Sequence, residues 1–320
     1  MRHGYRLRIT AFALAAIIPL AFTQAASAAA PTPDTRNPGY YHVQVGAFQV
    51  TALSDGTVEL PMDKLLHAPA DEVRAALKAH FLSAPTETSV NGYLINTGDE
   101  LVLVDTGAGS LFGPTLGNLV HSLEAAGYRP EQVDEVYLTH MHPDHLGGLT
   151  QDGERVFPNA VVRADRDDSA YWLDPANMEK APEGRKGMFK GAMASLKPYR
   201  EADAFEPFDD GTELAPGIHA QPAPGHTPGH TTYRLESDGE AMVLWGDLMH
   251  AAAVQFDHPE VAIDFDSDPE QAIASREAAY EKAAETGVLV AGAHLPFPGI
   301  GHIRADGQGY EWFPVNYSPD

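Results

Sequence analysis

The sequence predicts an α/β protein in which two facing β-sheets carry helices on their outer faces. Three observations lead there. Strand-like stretches dominate both halves of the chain and alternate with helical ones, the pattern of two sheet layers flanked by helices. No linker divides the halves, so the 320-residue chain reads as one large domain behind a leader. Several apolar runs end directly on histidine or aspartate, which puts polar chemistry at strand ends.

The elements follow in order. Arg2, Arg6 and Arg8 form a basic n-region, residues 9–22 an apolar h-region, and Ala26-Ser27-Ala28 a small-residue cleavage site, so residues 1–28 read as an export signal. Fourteen residues are short for a span of about twenty. Residues 29–38 form a Pro-rich leader, leaving residues 39–320 as the domain, exported and either periplasmic or secreted. Residues 40–60 alternate in strand fashion around Ser54-Asp55-Gly56, a hairpin signal. Residues 70–81 have helical spacing, and residues 90–106 read as two strands around Thr97-Gly98-Asp99. The second of these ends on Asp105-Thr106-Gly107. Residues 114–126 are an amphipathic helix stopped by Gly127, and residues 133–138 a strand. Residues 161–199 begin as a short strand and continue as helical material interrupted by Pro175, Pro182 and Gly187, with exposed-looking Tyr171, Trp172 and Phe189. Strands follow near 218–221, 231–235 and 242–245, then a helix over 269–286, a strand over 288–291 and a hairpin over 303–315 around Asp306-Gly307.

Composition removes whole classes of function. Acidic residues outnumber basic ones 45 to 21, a net charge of −24, which repels phosphate backbones and argues against nucleic-acid binding. The signal carries positive charge and no carboxylate, so its removal makes the chain more acidic still. No other stretch is apolar enough to cross a bilayer. There is no cysteine, so disulfides are excluded and every metal ligand must be His, Asp or Glu.

The chemistry concentrates in Thr139-His140-Met141-His142-Pro143-Asp144-His145. Three imidazoles and a carboxylate fall within six residues, all ordinary ligands for Zn²⁺ and similar ions, on a strand-to-helix turn. Such a cluster needs further ligands to close a site. Three downstream candidates sit at strand ends: His226 in Pro224-Gly225-His226-Thr227-Pro228-Gly229-His230, Asp247 after Leu244-Trp245-Gly246, and His294 after Val290-Ala291-Gly292-Ala293. His230 and His302 read as structural, and His42, His67, His80, His121, His219 and His258 have no constellation around them.

The set His140, His142, Asp144, His145, His226, Asp247 and His294 resembles the metallo-β-lactamase superfamily over about residues 40–315. The resemblance implies an αββα sandwich, two mixed sheets with helices outside and two Zn²⁺ or other divalent ions per subunit at their shared edge. His140, His142 and His226 would hold one ion, Asp144, His145 and His294 the other, with Asp247 bridging. Asp105 would orient a ligand histidine from behind. The segments at residues 107–115, 191–199 and 297–304 are similar to the methyl parathion hydrolase group, which includes dihydrocoumarin hydrolases and other lactonases or arylesterases, and whose members are commonly secreted homodimers. Phe112 and Trp172 match aromatics of that group's leaving-group pocket, and Phe189 joins them as a third apolar contact. His250, Ile263, Phe265 and a shorter Gly184-Arg185-Lys186-Gly187 loop depart from the phosphotriesterase pattern toward the lactonase side.

The expected function is therefore hydrolysis of lactones or aryl esters by a metal-activated water, with His250 contacting the substrate oxygen or relaying a proton. The partner would be a small neutral aromatic substrate. Phosphotriester hydrolysis as the main activity and a non-catalytic periplasmic zinc-binding protein are the alternatives. Thiolate-ligand β-lactamases are excluded by the absence of cysteine, and the tail after residue 303 is too short for a glutathione-binding region of the thioester-hydrolysing type.

Overall fold

The computed structural model describes Met1 and residues 37–318, so the expected signal and most of the leader lie outside the described residues. The first half supplies β1 (Tyr40–Val45), β2 (Phe48–Leu60), β3 (Thr86–Asn96), β4 (Leu101–Val104), β5 (Glu135–Tyr137), a small hairpin of β6 (Thr150–Gln151) and β7 (Glu154–Arg155), β8 (Val161–Asp165) and β9 (Phe205–Phe208). Its helices are α1 (Met62–Leu65), α2 (Ala70–Ala79), α3 (Leu119–Ala125), α4 (Pro143–Leu146), α5 (Arg166–Trp172), α6 (Pro175–Lys180) and α7 (Lys186–Glu201). The second half supplies β10 (Glu213–Ala215), β11 (Ile218–Pro222), β12 (Thr231–Ser237), β13 (Glu240–Leu244), β14 (Leu289–Ala291), β15 (Ile300–Asp306) and β16 (Gly309–Pro314), with α8 (Ala252–Gln255) and α9 (Pro269–Thr286).

Two seven-stranded sheets result, ordered β1-β2-β3-β4-β5-β8-β9 and β10-β11-β12-β13-β14-β15-β16. Both are mixed: β4, β5, β8 and β9 pair in parallel, as do β13 and β14, while the other pairs are antiparallel. Alternation along each strand assigns the layers. Val102 and Val104 face the second sheet in a shared core with Val50, Ile95, Tyr233, Leu235, Met242 and Leu244. Leu101 and Leu103 face outward against Leu119 and Leu123 of α3 and Leu196 of α7. Outside the second sheet, Trp245, Val290 and Ile303 pack on Tyr280 and Ala283 of α9. The architecture is the αββα sandwich. Among the described residues no helix is long and apolar enough to cross a membrane.

Local signals explain the helix ends. Asp268 caps α9 by accepting from Gln271 N–H, Pro269 opens it, and Gly287 ends it in the left-handed region. Asp165 caps α5 through Asp167 and Asp168 N–H.

Three expectations are corrected. The first hairpin turns at Gly46-Ala47, not at Ser54-Asp55-Gly56, which is a bulge inside β2. Bulges re-aim side chains, and here the Asp55 side chain is buried. The helix expected from residue 114 begins only at Leu119, because Gly113 and Gly117 adopt φ of +82° and +85°. Finally, Trp172 and Phe189 are not exposed: both lie in the core outside the first sheet, with ring centroids 4.5 Å apart.

Candidate metal centre

Strands β4 and β5 run parallel in one sheet, β13 and β14 in the other, and their C-terminal ends open toward one edge. Asp105 follows β4, the His140–His145 run follows β5, Asp247 follows β13 and His294 follows β14. His226 lies in the connection from β11 to β12. The sheets thus deliver these side chains to one place from distant points of the chain.

The donor atoms of His140, His142, His226 and Asp247 lie within 4.8 Å of one another, as do those of Asp144, His145 and His294. Asp247 stands between the sets. Its Oδ1 is 3.2 Å from His145 Nε2, and its Oδ2 is 3.3 Å from His226 Nε2 and 3.1 Å from His294 Nε2. His250 comes just as close, with Nε2 3.2 Å from Asp247 Oδ2, and its ring stacks on His294 at 5.0 Å. Asp247, His250 and His294 form a third set of mutually close donors.

Whether these residues fit divalent ions is tested by what they leave unpartnered. Buried His140 Nε2, His145 Nε2, Asp247 Oδ1 and both ring nitrogens of His250 have no hydrogen-bond partner. The His250 contact with Asp247 is close but not aligned as a hydrogen bond. Buried polar atoms are normally satisfied, and the spacings above suit ligands about 2 Å from a shared cation. The donor set is nitrogen and carboxylate oxygen, which suits zinc and its neighbours. The residues fit the ions.

Electrostatics point the same way. Burial raises the Asp247 carboxyl, but the charge on His145 and His294 outweighs it and holds the group well below the usual carboxylate range, so it is ionised. Burial pushes His140 and His142 well below ordinary imidazole values, leaving them neutral and available as ligands. For His226 burial is opposed by Asp247 and Asp266, which lift it to about 9 in the bare cluster. Burial lowers His250 to about 4.

A ring of supports holds the donors. Asp105 adopts φ of +59° just past β4, a conformation that Asp tolerates better than most residues. Its carboxylate accepts from Thr139 N–H (2.8 Å), from the Thr139 hydroxyl (2.7 Å) and from His145 Nδ1 (2.8 Å). His294 Nδ1 donates to Ser89 O at 2.9 Å. His230, expected from its sequence context to be structural, holds the backbone of Asp247 in place. Its Nδ1 donates to Ala223 O (3.1 Å) and its Nε2 accepts the backbone N–H of Asp247 (2.9 Å). A Cβ on Gly246, at φ of +55°, would lie 2.7 Å from that same His230 nitrogen, so glycine is needed there.

Two supports had no signal in the sequence. Asp266 Oδ1 accepts from His226 Nδ1 at 2.9 Å, although 40 residues separate them. Asp168 accepts from Met141 N–H (2.8 Å) and Gly229 N–H (3.1 Å), tying the His140–His142 segment to the His226 loop. Asp168 lies beside Asp167 at the start of α5 and so looks like an ordinary first-turn charge.

The expected substrate-contacting residues fall into two groups. Phe112, Ile263 and Phe265 pack in one cluster with Met62 and Leu66 of the α1–α2 segment, and the Phe265 ring is 5.8 Å from that of His250. Phe112 and Phe265 keep partial exposure, whereas Ile263 is fully buried. On the other side Trp172 meets His142 edge-on at 5.2 Å, and Phe189 packs behind it, away from the donors.

Comparison with known proteins agrees with this geometry. The structure of the hydrolase AbOPH, described as in the beta lactamase superfamily, superposes with a TM-score of 0.85 at 39% identity, covering 89% of this chain and 100% of that one. The structure of AidC, described as a dizinc quorum-quenching lactonase in complex with an N-acyl-homoserine product, superposes with a TM-score of 0.81 at 28% identity, covering 88% and 98%. An N-acyl homoserine lactonase from Bacillus is 25% identical over 171 residues, 48% of this chain and 60% of the relative. The chain spans 56% to 72% of the length of the curated relatives it matches. The model of the metallo-beta-lactamase superfamily matches residues 85–303, which hold every donor and support named above, and the chain belongs to that superfamily.

Proposed function

We propose that this protein is a dinuclear, zinc-dependent lactonase and arylesterase of the dihydrocoumarin hydrolase type. The observation that carries the reading is the buried set of donors around Asp247, of which His140 Nε2, His145 Nε2 and Asp247 Oδ1 lack protein partners, beside a partly exposed wall of Phe112 and Phe265. Two divalent ions held there would supply Lewis acidity and a water activated near neutral pH. Asp247, ionised and fixed through its backbone by His230, would bridge the ions. Phe112 and Phe265 would hold an aryl group by apolar contact and exclude water from it. His250 is neutral at pH 7 and offers an unpaired ring nitrogen to a substrate hydroxyl or a proton in transit.

The lactonase neighbours support ring opening as the reaction. They also favour a second reading in which the acyl chain of an N-acyl-homoserine lactone lies along the same wall. Phosphotriester hydrolysis is proposed as a minor activity. The test is kcat/KM on one zinc-loaded preparation for dihydrocoumarin, an aryl ester, N-hexanoyl-homoserine lactone and an aryl phosphotriester. The aryl lactone should lead, and a higher value for the phosphotriester would overturn the reading. Asp247→Ala should abolish turnover together with at least one metal equivalent, and full turnover with one equivalent would refute the two-ion scheme. The exported, homodimeric state is proposed as well: the N-terminal residue of the mature protein and its mass in solution test cleavage near Ala28 and pairing.

A further inference from the structure

Asp55 is buried, and its carboxylate takes no part in the metal centre. Oδ2 accepts the backbone N–H of Ala108 and of Gly117, and Oδ1 that of Leu119, each at 2.9 Å. The Asp55 carbonyl also accepts from Asn118, through its backbone N–H at 3.1 Å and Nδ2 at 2.9 Å. Four hydrogen bonds thus reach one residue from both ends of the 107–118 loop, and a fifth comes from Leu119 where α3 begins. A strand bulge has no need of them, and bonds from N–H groups to a carboxylate are the strong, orienting kind. The fit is close: at Gly107, with φ of +73°, a Cβ would lie 2.4 Å from the Asp55 carboxyl carbon.

That loop carries Phe112. Its metal-side end is held separately, by Thr106 N–H on His145 O (2.7 Å) and Gly148 N–H on Gly107 O (3.0 Å). A cavity of about 340 Å³, lined by Asp55, Ser110, Gly117 and Gln151 among others, leaves the loop room to shift if it is released. We infer that Asp55 is a positioning residue for substrate selectivity, fixing the 107–118 loop so that Phe112 stands with Phe265 as the wall against which an aryl group binds. This rests on the lactonase reading above and deepens it: one carboxylate acts on KM through the wall, while the metal donors keep their own supports.

The test is Asp55→Asn, which replaces one accepting oxygen with an amide that cannot accept. KM for dihydrocoumarin should rise about tenfold, the loss of one charge-assisted bond. The kcat, the metal content and KM for an aliphatic γ-lactone should stay within about twofold. In a Phe112→Ala background the same substitution should no longer move KM, because contacting residues on one path are non-additive. An equal rise for both lactones, loss of metal, or an undiminished effect without Phe112 would overturn the inference. Should the variant fail to fold, hydrogen exchange on the unaltered protein decides: the amides of Ala108, Gly117 and Leu119 should exchange as slowly as those of β3 and β4, and rapid exchange refutes the clamp. Failure of the lactonase reading is distinct, because it appears as turnover of neither lactone by the unaltered protein, with the exchange result unaffected.

Discussion

Stripped of metal, the protein should lose stability as pH rises from 6.5 to 9, and the metal-loaded protein should not. In the bare cluster burial disfavours charge on His226, but Asp247 at 3.3 Å and Asp266 at 2.9 Å outweigh it and raise the pKa to about 9. Burial likewise opposes charge on His145 and His294, yet the neighbouring carboxylates, Asp247 first, raise both. A histidine near 6.5 when unfolded and near 9 when folded binds its proton more tightly in the folded state. The stability it contributes is complete below pH 6.5 and is lost as pH rises through 9. For His226 alone that is on the order of 3 kcal/mol. His140, His142, His230 and His250 are shifted downward and neutral in the fold, so they oppose the fall only over the first pH unit, where their unfolded counterparts still lose protons, and add nothing above about pH 7.5. Burial raises Asp165 and Asp168 to about 6, so they give up their last protons only at the start of the window, and there is no cysteine to titrate. Thermal melts after chelation should therefore show Tm falling across the window, by roughly 2–4 °C per kcal/mol. With ions bound the donors are already deprotonated in the fold, so Tm should stay level or rise. A level Tm in the stripped protein, or parallel falls in both forms, would refute the reasoning.

Other substitutions separate the roles. Asp168→Ala leaves the buried N–H groups of Met141 and Gly229 without acceptors, at about 1–3 kcal/mol each, and should lower the denaturant midpoint and metal affinity together. Trp172→Ala removes a ring packed 4.5 Å from Phe189 and should cost roughly 3–5 kcal/mol in denaturant melts; a change in KM with unaltered stability would instead make Trp172 a simple cleft wall. Asp266→Asn should weaken zinc affinity by about 10–100-fold without displacing Phe112, as read by calorimetric titration, because it removes the charge behind a ligand histidine.

Most of the donors were legible in the sequence because they follow closely on an apolar strand pattern, as the His140–His145 run, Asp247 and His294 do, whereas His226 stood out within its Pro- and Gly-rich loop. The same patterning indicated the sandwich, and α9 could be placed from Pro269 and Gly287. What stayed hidden is what depends on tertiary contact. Ser54-Asp55-Gly56 has the composition of a turn, and only its position opposite the 107–118 loop makes it a bulge. Trp172 and Phe189 occupy a stretch broken by Pro175, Pro182 and Gly187, so helical periodicity could not show that they face the core.

The supports share one physical logic that the motif does not contain. Asp55, Asp105, Asp168 and Asp266 are all buried, and none belongs to the two donor sets around the proposed ions. Each accepts hydrogen bonds from a segment at least 27 residues away. A buried carboxylate is costly unless its oxygens are satisfied, so each one fixes the loop that satisfies it. Asp105, Asp168 and Asp266 fix loops that bear metal donors, whereas Asp55 fixes the loop that bears Phe112. On the proposed function, substrate preference and metal affinity would therefore rest on different side chains. That separation would let the wall change its substrate while the seven donors stay where they are.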